Sequence, residues 1–101
     1  MGFVRVALAK DLKADEMKST EAGGKEICVA NVAGTFYAIG NRCTHMGCLL
    51  SDGALRGEKV TCPCHSSTFN FRTGAVVKGP AKKSEPVYEV KVEKDQVLVD
   101  V

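Results

Sequence analysis

The sequence has no long hydrophobic run, although 45% of its residues are hydrophobic. No apolar stretch approaches the roughly 18 residues that a membrane-spanning helix requires. The opening residues, Met-Gly-Phe-Val-Arg-Val, are soon followed by the charged pair Lys10 and Asp11. They therefore lack the apolar centre of a secretory signal. We expect no membrane span and a cytoplasmic location.

Concentrated charge is also missing, since 14 basic and 12 acidic residues leave a net charge of +2. The nearest approach to a basic run is the pair Lys82 and Lys83, which is too short for a nucleic-acid footprint. No phosphate-binding loop, dinucleotide fingerprint or pair of carboxylates is present. With 101 residues, the chain fits one domain. We expect a monomer that binds no nucleic acid and is not itself an enzyme.

Long helical periodicity is absent, and short segments with strand-like alternation take its place. Alternating residues occur near Val4 and Val6, at 25–31 and 35–39, and again at 87–92 and 96–101. Asp11 at the start of 11–14 predicts one capped helical turn. Several short strands at regular spacing predict an all-β antiparallel sandwich or barrel. The central part of the chain is rich in Cys, His and Gly and predicts loops.

The cysteines and histidines are distributed very unevenly. Five cysteines are present, and four of them lie within the 23 residues 43–65, which also contain both histidines of the chain. The first group is Cys43-Thr44-His45, and the second is Cys62-Pro63-Cys64-His65. A disulfide framework would not need the histidines, so the mixed groups predict a metal site. Each group can present one thiolate and one imidazole from one loop.

Three other interpretations of these residues remain open at this point. Two cysteines and two histidines are ordinary ligands of structural zinc, although zinc fingers usually separate the cysteines from the histidines. A thiol nucleophile with an adjacent base, Cys64 and His65, is a second possibility, but sequence neighbours rarely have the required geometry. The third is a domain of the same fold that has lost its metal site, and it is disfavoured because all four candidate ligands are present. Cys28 stands apart and is interpreted as a small buried side chain.

The residues from 43 to 81 resemble the two cluster-binding loops of Rieske proteins. The resemblance lies in Cys43-Thr44-His45-Met46-Gly47-Cys48, in Cys62-Pro63-Cys64-His65-Ser66-Ser67-Thr68-Phe69, and in the later Arg72-Thr73-Gly74 and Lys78-Gly79-Pro80-Ala81. It is closest to the branch that has an extra cysteine in each loop. Rieske centres are 2Fe-2S clusters in which two histidines replace two cysteines on one iron. The resemblance therefore implies this cluster as the cofactor.

The resemblance also implies a role for each matching position. Cys43 and Cys62 would be ligands of the inner iron, and His45 and His65 of the outer, more exposed iron. Cys48 and Cys64 occupy the positions that form a disulfide between the loops in that branch. Ser67 matches a serine whose hydroxyl donates to a bridging sulfide of the cluster. Two positions depart from the pattern: Phe69 replaces a tyrosine that donates to a cysteine sulfur, and Ser66 replaces a glycine.

The family resemblance implies a fold and a function as well. We expect one Rieske domain over residues 1–101, in which a cluster-binding subdomain at 40–81 is inserted into a β base formed by 1–39 and 82–101. The implied function is one-electron transfer between a reductase and an oxygenase or another acceptor protein. The alternative is a subunit or fragment of a larger respiratory or reductase complex. Partners would dock at the exposed histidine edge, bordered by Met46 and Pro80.

Overall fold

The computed structural model describes residues 2–101, and almost all of its regular structure is β-strand. The strands are β1 (Phe3–Leu8), β2 (Glu16–Ala22), β3 (Lys25–Val32), β4 (Thr35–Gly40), β5 (Ala54–Arg56), β6 (Lys59–Thr61), β7 (Thr68–Asn70), β8 (Val76–Lys78), β9 (Val87–Tyr88), β10 (Val90–Glu93) and β11 (Gln96–Asp100). Two short 3-10 turns occur at Ala9–Asp11 and Leu50–Asp52. Within residues 2–101, no helix has the length and apolar character needed to cross a membrane. The predicted all-β antiparallel fold is confirmed.

Two antiparallel sheets contain strands from both ends of the chain. One has the order β1-β11-β10, and the other has the order β2-β3-β4-β9. Alternation explains the first sheet, because Val97 and Val99 are completely buried on one face of β11 while their neighbours are partly exposed. These valines pack with Ile27 and Val29 of β3 in one hydrophobic core. The burial of these two faces holds the first and last strands of the chain together.

The third sheet has the order β5-β6-β7-β8, and all of its strands come from the middle of the chain. It lies in sequence between β4 and β9, which pair directly through Ala38 with Tyr88 and Ile39 with Val87. The chain therefore leaves the second sheet after β4, forms the third sheet, and returns to the same edge. The loop between β4 and β5 and the loop between β6 and β7 contain the two Cys/His groups.

A second hydrophobic core connects the third sheet to the second sheet. Phe69 and Phe71, both completely buried, pack there with Ile39 and Val60. The same core includes Cys43 and Cys62, whose side chains are the candidate sulfur ligands. Burial of two phenylalanines is worth several kcal/mol at about 25 cal/mol per Å² of apolar surface. The candidate metal centre is therefore built on a buried core that the central segment shares with the second sheet.

The predicted helical turn at residues 11–14 was wrong. The structure has a 3-10 turn at Ala9–Asp11 instead, so that Asp11 ends the turn rather than capping its start. The turn begins earlier because the backbone N–H of Ala9 donates to the carbonyl of Asp95 at 2.7 Å. Leu12 is 3% exposed and packs in the core with Val97 and Val99. The position of the turn therefore goes with this hydrogen bond and with the burial of Leu12, and no side chain caps its start.

Candidate metal centre

The first Cys/His group lies in a tight loop after β4. The N–H of Cys43 donates to the carbonyl of Cys48 at 2.8 Å, and the N–H of Gly47 donates back to the carbonyl of Cys43 at 2.8 Å. These two bonds close residues 43–48 into a turn with His45 and Met46 at its exposed tip. Cys43, in contrast, is only 3% exposed. One short turn therefore directs a sulfur inward and an imidazole toward solvent.

The second Cys/His group repeats this backbone pattern after β6. The N–H of Cys62 donates to the carbonyl of Ser67 at 2.7 Å, and the N–H of Ser66 donates to the carbonyl of Cys62 at 3.2 Å. Cys62 is 2% exposed, whereas His65 is exposed. The same hydrogen-bonding scheme thus accommodates a Cys-x-His spacing in one loop and a Cys-x-x-His spacing in the other.

The two loops bring the four predicted ligands together. The ring centroids of His45 and His65 lie 5.2 Å apart, with the ring planes at 80° to each other. Cys43 and Cys62 lie buried in the same hydrophobic core. Burial raises the pKa of the Cys62 thiol and the Cys43 side chain raises it further, while the backbone N–H groups of Cys64 and His65 favour the thiolate. Their assignment as ligands stays a prediction, and the arrangement fits it.

A disulfide joins Cys48 to Cys64 and so connects the two loops. Their Cα atoms are 6.5 Å apart, and the bond closes a segment with a sequence separation of 16. The sulfur of Cys62 lies within 4.8 Å of both disulfide sulfurs. Because Cys48 and Cys64 are bonded to each other, neither can supply a thiolate, and this group of three sulfurs is not a three-cysteine metal site. The disulfide instead borders one predicted ligand.

Ser67 is completely buried beside the second loop. Its hydroxyl oxygen accepts a hydrogen bond from the backbone N–H of Ala81 at 3.0 Å. A hydroxyl has one proton to donate and two acceptor lone pairs, so this contact leaves the Ser67 proton available. Phe69, at the position of the family's tyrosine, is also completely buried but has no group that can donate.

The importance of Arg42 and Thr44 to the first loop was not predicted from the sequence. The Arg42 guanidinium makes a two-pronged ion pair with Glu26 on β3, at 2.9 and 3.0 Å, and donates to the carbonyl of Gly47 at 3.0 Å. The Thr44 hydroxyl donates to the carbonyl of Lys83 at 2.7 Å. These contacts attach the first ligand loop to β3 of the second sheet and to the loop after β8. The adjacency of Arg42 to Cys43 was the only sequence signal, and it did not reveal the partners.

Glu85 was also missed, because a glutamate between Ser and Pro looks like an ordinary loop residue. It is 4% exposed, and its Oε2 atom has no hydrogen-bond partner among residues 2–101. Burial raises its pKa to about 7, although a hydrogen bond from the backbone of Thr44 acts in the opposite direction. Its own N–H donates to the carbonyl of Gly74 at 2.8 Å. Glu85 thus lies between the first ligand loop and the turn before β8.

Comparison with known proteins gives consistent results. Residues 2–93 match the Rieske [2Fe-2S] domain. The ferredoxin component of the naphthalene 1,2-dioxygenase system of Pseudomonas putida is 36% identical over 95% of this chain and 91% of its own length. The ferredoxin of carbazole 1,9a-dioxygenase from Nocardioides aromaticivorans IC177 has a similar structure, with a TM-score of 0.94, 32% identity, and coverage of 98% of this chain and 97% of that one.

A second solved structure contains a partner protein. It is the complex of reduced oxygenase and oxidized ferredoxin in carbazole 1,9a-dioxygenase, and the match has a TM-score of 0.91 with 32% identity. It covers 96% of this chain and 91% of that one. The two buried sulfurs and two exposed imidazoles fit the two-cysteine, two-histidine donor set of a Rieske 2Fe-2S cluster, and this cluster is the cofactor. The chain belongs to the Rieske [2Fe-2S] domain family.

Proposed function

We propose that this protein is a one-electron carrier of a multicomponent oxygenase system. It would accept an electron from a reductase and deliver it to an oxygenase. Relatives and structural neighbours are named as ferredoxin components of dioxygenase systems, and one neighbour is seen in complex with its oxygenase. Proteins of this kind are electron carriers rather than enzymes. The proposed location is the cytoplasm.

The placement of the histidines is the observation that carries the proposal. When bound, a Rieske cluster takes up and releases one electron. His45 and His65 would hold the outer iron from an exposed surface, and Cys43 and Cys62 would hold the inner iron from the core. The exposed imidazole rings give a partner protein close access to the cluster. The buried side of the cluster, at Cys43 and Cys62, excludes water. Ser67, with a free hydroxyl proton, would stabilise added negative charge on the sulfur atoms.

The same proposal includes the organisation of the chain. Residues 1–101 would form one domain in which the segment 40–81 is the cluster-binding unit, inserted between 1–39 and 82–101. The direct pairing of β4 with β9 supports this division, because the base sheet continues across the point of insertion. A short third sheet packed on a shared core can then position both ligand loops.

Iron analysis and electron paramagnetic resonance (EPR) test the cluster assignment. We expect two irons per chain and, after reduction with dithionite, a spectrum with the low average g value of mixed Cys/His ligation. Separate Ala variants of Cys43, Cys62, His45 and His65 should each lose the signal. Cys28→Ala is the matched control, because Cys28 is a buried cysteine of the same core whose sulfur contacts Met17 and which lies outside both Cys/His groups. Bound zinc without iron, or a signal that persists in the His65 variant, would contradict the assignment.

Reconstitution tests the proposed function directly. The purified holoprotein would be combined with the reductase and oxygenase of the naphthalene 1,2-dioxygenase system, with NAD(P)H and naphthalene. We expect product formation that depends on this protein and saturates as its concentration rises. The apoprotein is the control. A holoprotein that is never reduced by any reductase of such systems, under any salt condition, would contradict a carrier role.

A further inference from the structure

Charge is distributed unequally between residues 40–85, which are the segment 40–81 and the start of the loop that follows it, and the rest of the chain. Residues 40–85 contain seven basic and three acidic side chains, which gives +4, whereas the remainder contains seven basic and nine acidic side chains, which gives −2. The overall charge of +2 conceals this difference. Residues 40–85, which contain the four predicted ligands, therefore carry net positive charge, whereas the rest of the chain carries net negative charge.

The acidic residues of this segment do little to reduce its surface charge. Glu58 is already in an ion pair with Arg72 at 3.7 Å, and Glu85 is buried. Only Asp52 remains as an exposed carboxylate within 40–85. The exposed basic residues of the segment that form no ion pair within residues 2–101 are Arg56, Lys59, Lys78, Lys82 and Lys83.

Two of these lysines lie beside a candidate outer ligand. Lys82 and Lys83 line an open groove of about 500 Å³ together with Thr44, His45 and Pro80. The bond from the Thr44 hydroxyl to the Lys83 carbonyl holds this part of the chain against the first ligand loop. Met46, the next residue after His45, is 62% exposed. We call the surface formed by His45, Met46, Pro80, Lys82 and Lys83 the basic edge.

We propose that the basic edge is the docking surface for a redox partner whose own docking surface is rich in aspartate and glutamate. The inference rests on the proposed function as an electron carrier, and it specifies the chemistry of the partner. An apolar centre with a charged rim is the usual composition of a transient protein interface. Complementary charge mainly accelerates the encounter and orients it. Here it orients the exposed imidazole toward the electron acceptor or donor.

Two double variants separate local charge from net charge. Lys82→Glu/Lys83→Glu reverses both lysines of the basic edge, and Lys10→Glu/Lys13→Glu reverses two exposed lysines of the base. Each changes the net charge by the same amount, from +2 to −2. Lys82→Gln/Lys83→Gln adds a neutral intermediate. EPR of each reduced holoprotein verifies that the cluster site is unchanged.

Binding of fluorescent poly-L-glutamate, followed by anisotropy at low ionic strength, tests recognition of acidic surfaces. We expect the Kd to rise about tenfold or more for the Lys82/Lys83 double Glu variant and less than about twofold for the Lys10/Lys13 variant. The neutral variant should lie between them, and salt should remove the differences. Equal weakening in both Glu variants would overturn the proposal, because binding would then follow net charge alone.

Small redox probes test the charge at the point where the electron leaves. Each reduced holoprotein transfers one electron to ferricyanide, an anion that becomes ferrocyanide, or to the cation hexaammineruthenium(III), which becomes the ruthenium(II) ion. We expect Lys82→Glu/Lys83→Glu to slow oxidation by ferricyanide and accelerate oxidation by the ruthenium complex, each by about three- to tenfold. The Lys10/Lys13 variant should change neither rate by more than about twofold. Unchanged rates in the Lys82/Lys83 variant would overturn the proposal.

These measurements use no oxygenase or reductase, so their failure is distinct from failure of the proposed function. If the Lys82/Lys83 variants bind poly-L-glutamate and react with the redox reagents as the natural protein does, while reconstitution succeeds, the acidic partner is rejected and the carrier role is kept. If the Lys82/Lys83 variants show the expected changes in Kd and in oxidation rate but reconstitution fails, the oxygenase system is rejected and the basic edge is kept as a site for acidic proteins.

Discussion

Gly47 and Ser66 occupy the same position in the two ligand loops, and both have a left-handed backbone conformation. The φ angle is +77° at Gly47 and +64° at Ser66. In each loop the N–H of this residue donates to the carbonyl of the first cysteine, Cys43 or Cys62. The left-handed region is accessible to glycine without penalty but costs other residues roughly 1–2 kcal/mol. The second loop therefore carries backbone strain that the first does not.

Replacing Ser66 with glycine should stabilise the protein. Ser66→Gly removes the strain at φ +64°, and the greater freedom of glycine in the unfolded chain offsets part of the gain. We expect a net increase in the free energy of unfolding of about 0.5–1 kcal/mol, measured by denaturant titration. The reciprocal change, Gly47→Ala, meets no atom within 4 Å and should destabilise through its backbone alone, by about 1 kcal/mol. Equal stability of all three proteins would contradict this account.

Ser67→Ala should lower the reduction potential of the cluster. The Ala81 N–H already occupies a lone pair of the Ser67 oxygen, so the hydroxyl proton is free to stabilise the more negative reduced state. Loss of a hydrogen bond worth about 1 kcal/mol corresponds to a decrease of roughly 50 mV for one electron. Voltammetry of the holoprotein measures the shift. Ser66→Gly is the adjacent control and should leave the potential unchanged, because the side chain of Ser66 is exposed.

Phe69→Tyr should change the potential in the opposite direction. Phe69 is completely buried in the core that contains Cys43 and Cys62, and a hydroxyl there can donate to a ligand sulfur. An increase of roughly 50 mV is expected by the same conversion. A variant with a native EPR spectrum and an unaltered potential would show that the new hydroxyl does not reach the sulfur.

Glu85→Gln should remove a pH dependence of stability. The folded protein holds the Glu85 proton up to about pH 7, whereas the ordinary pKa of glutamate is 4.5. The folded state thus binds more protons than the unfolded state between these values, and stability falls as the pH rises from about 5 to 8. The expected decrease is about 2–3 kcal/mol, measured by denaturant titration at a series of pH values.

The matched control for this prediction is Glu89→Gln, because Glu89 is an exposed carboxylate close by in sequence. It should keep the pH profile of the natural protein. If the free energy of unfolding of Glu85→Gln falls with rising pH as steeply as that of the natural protein, another group is responsible for the pH dependence.

Removing the disulfide should destabilise the ligand loops. Cys48→Ser/Cys64→Ser opens a segment with a sequence separation of 16, for which the chain-entropy relation gives about 3 kcal/mol. We expect a lower denaturation midpoint and faster loss of the visible cluster absorption on warming. Dithiothreitol should produce the same change in the natural protein and none in the double variant. Identical midpoints for the reduced and oxidised natural protein would contradict the prediction.

The buried valines of the last strand illustrate how far pattern alone can predict the fold. Alternation at 96–101 predicts that Val97, Val99 and Val101 share one face, because a strand directs successive side chains to opposite faces. The structure buries Val97 and Val99 of that face completely. The turn near Asp11 was misplaced, because a hydrogen bond to Asp95, more than eighty residues away in sequence, sets where it begins. The sequence around Asp11 cannot predict a hydrogen-bond partner that is so distant along the chain.

The sequence by itself determined the family and predicted the donor atoms, because cysteine and histidine at these spacings are chemically specific. It also determined the all-β class, through the two-residue period of the strands. Only the tertiary structure decided what surrounds the ligand loops. The burial of Glu85, the ion pair of Arg42 with Glu26, and the position of Lys82 and Lys83 beside His45 all depend on contacts between distant segments. Such contacts form only when the chain has folded and the sheets have packed.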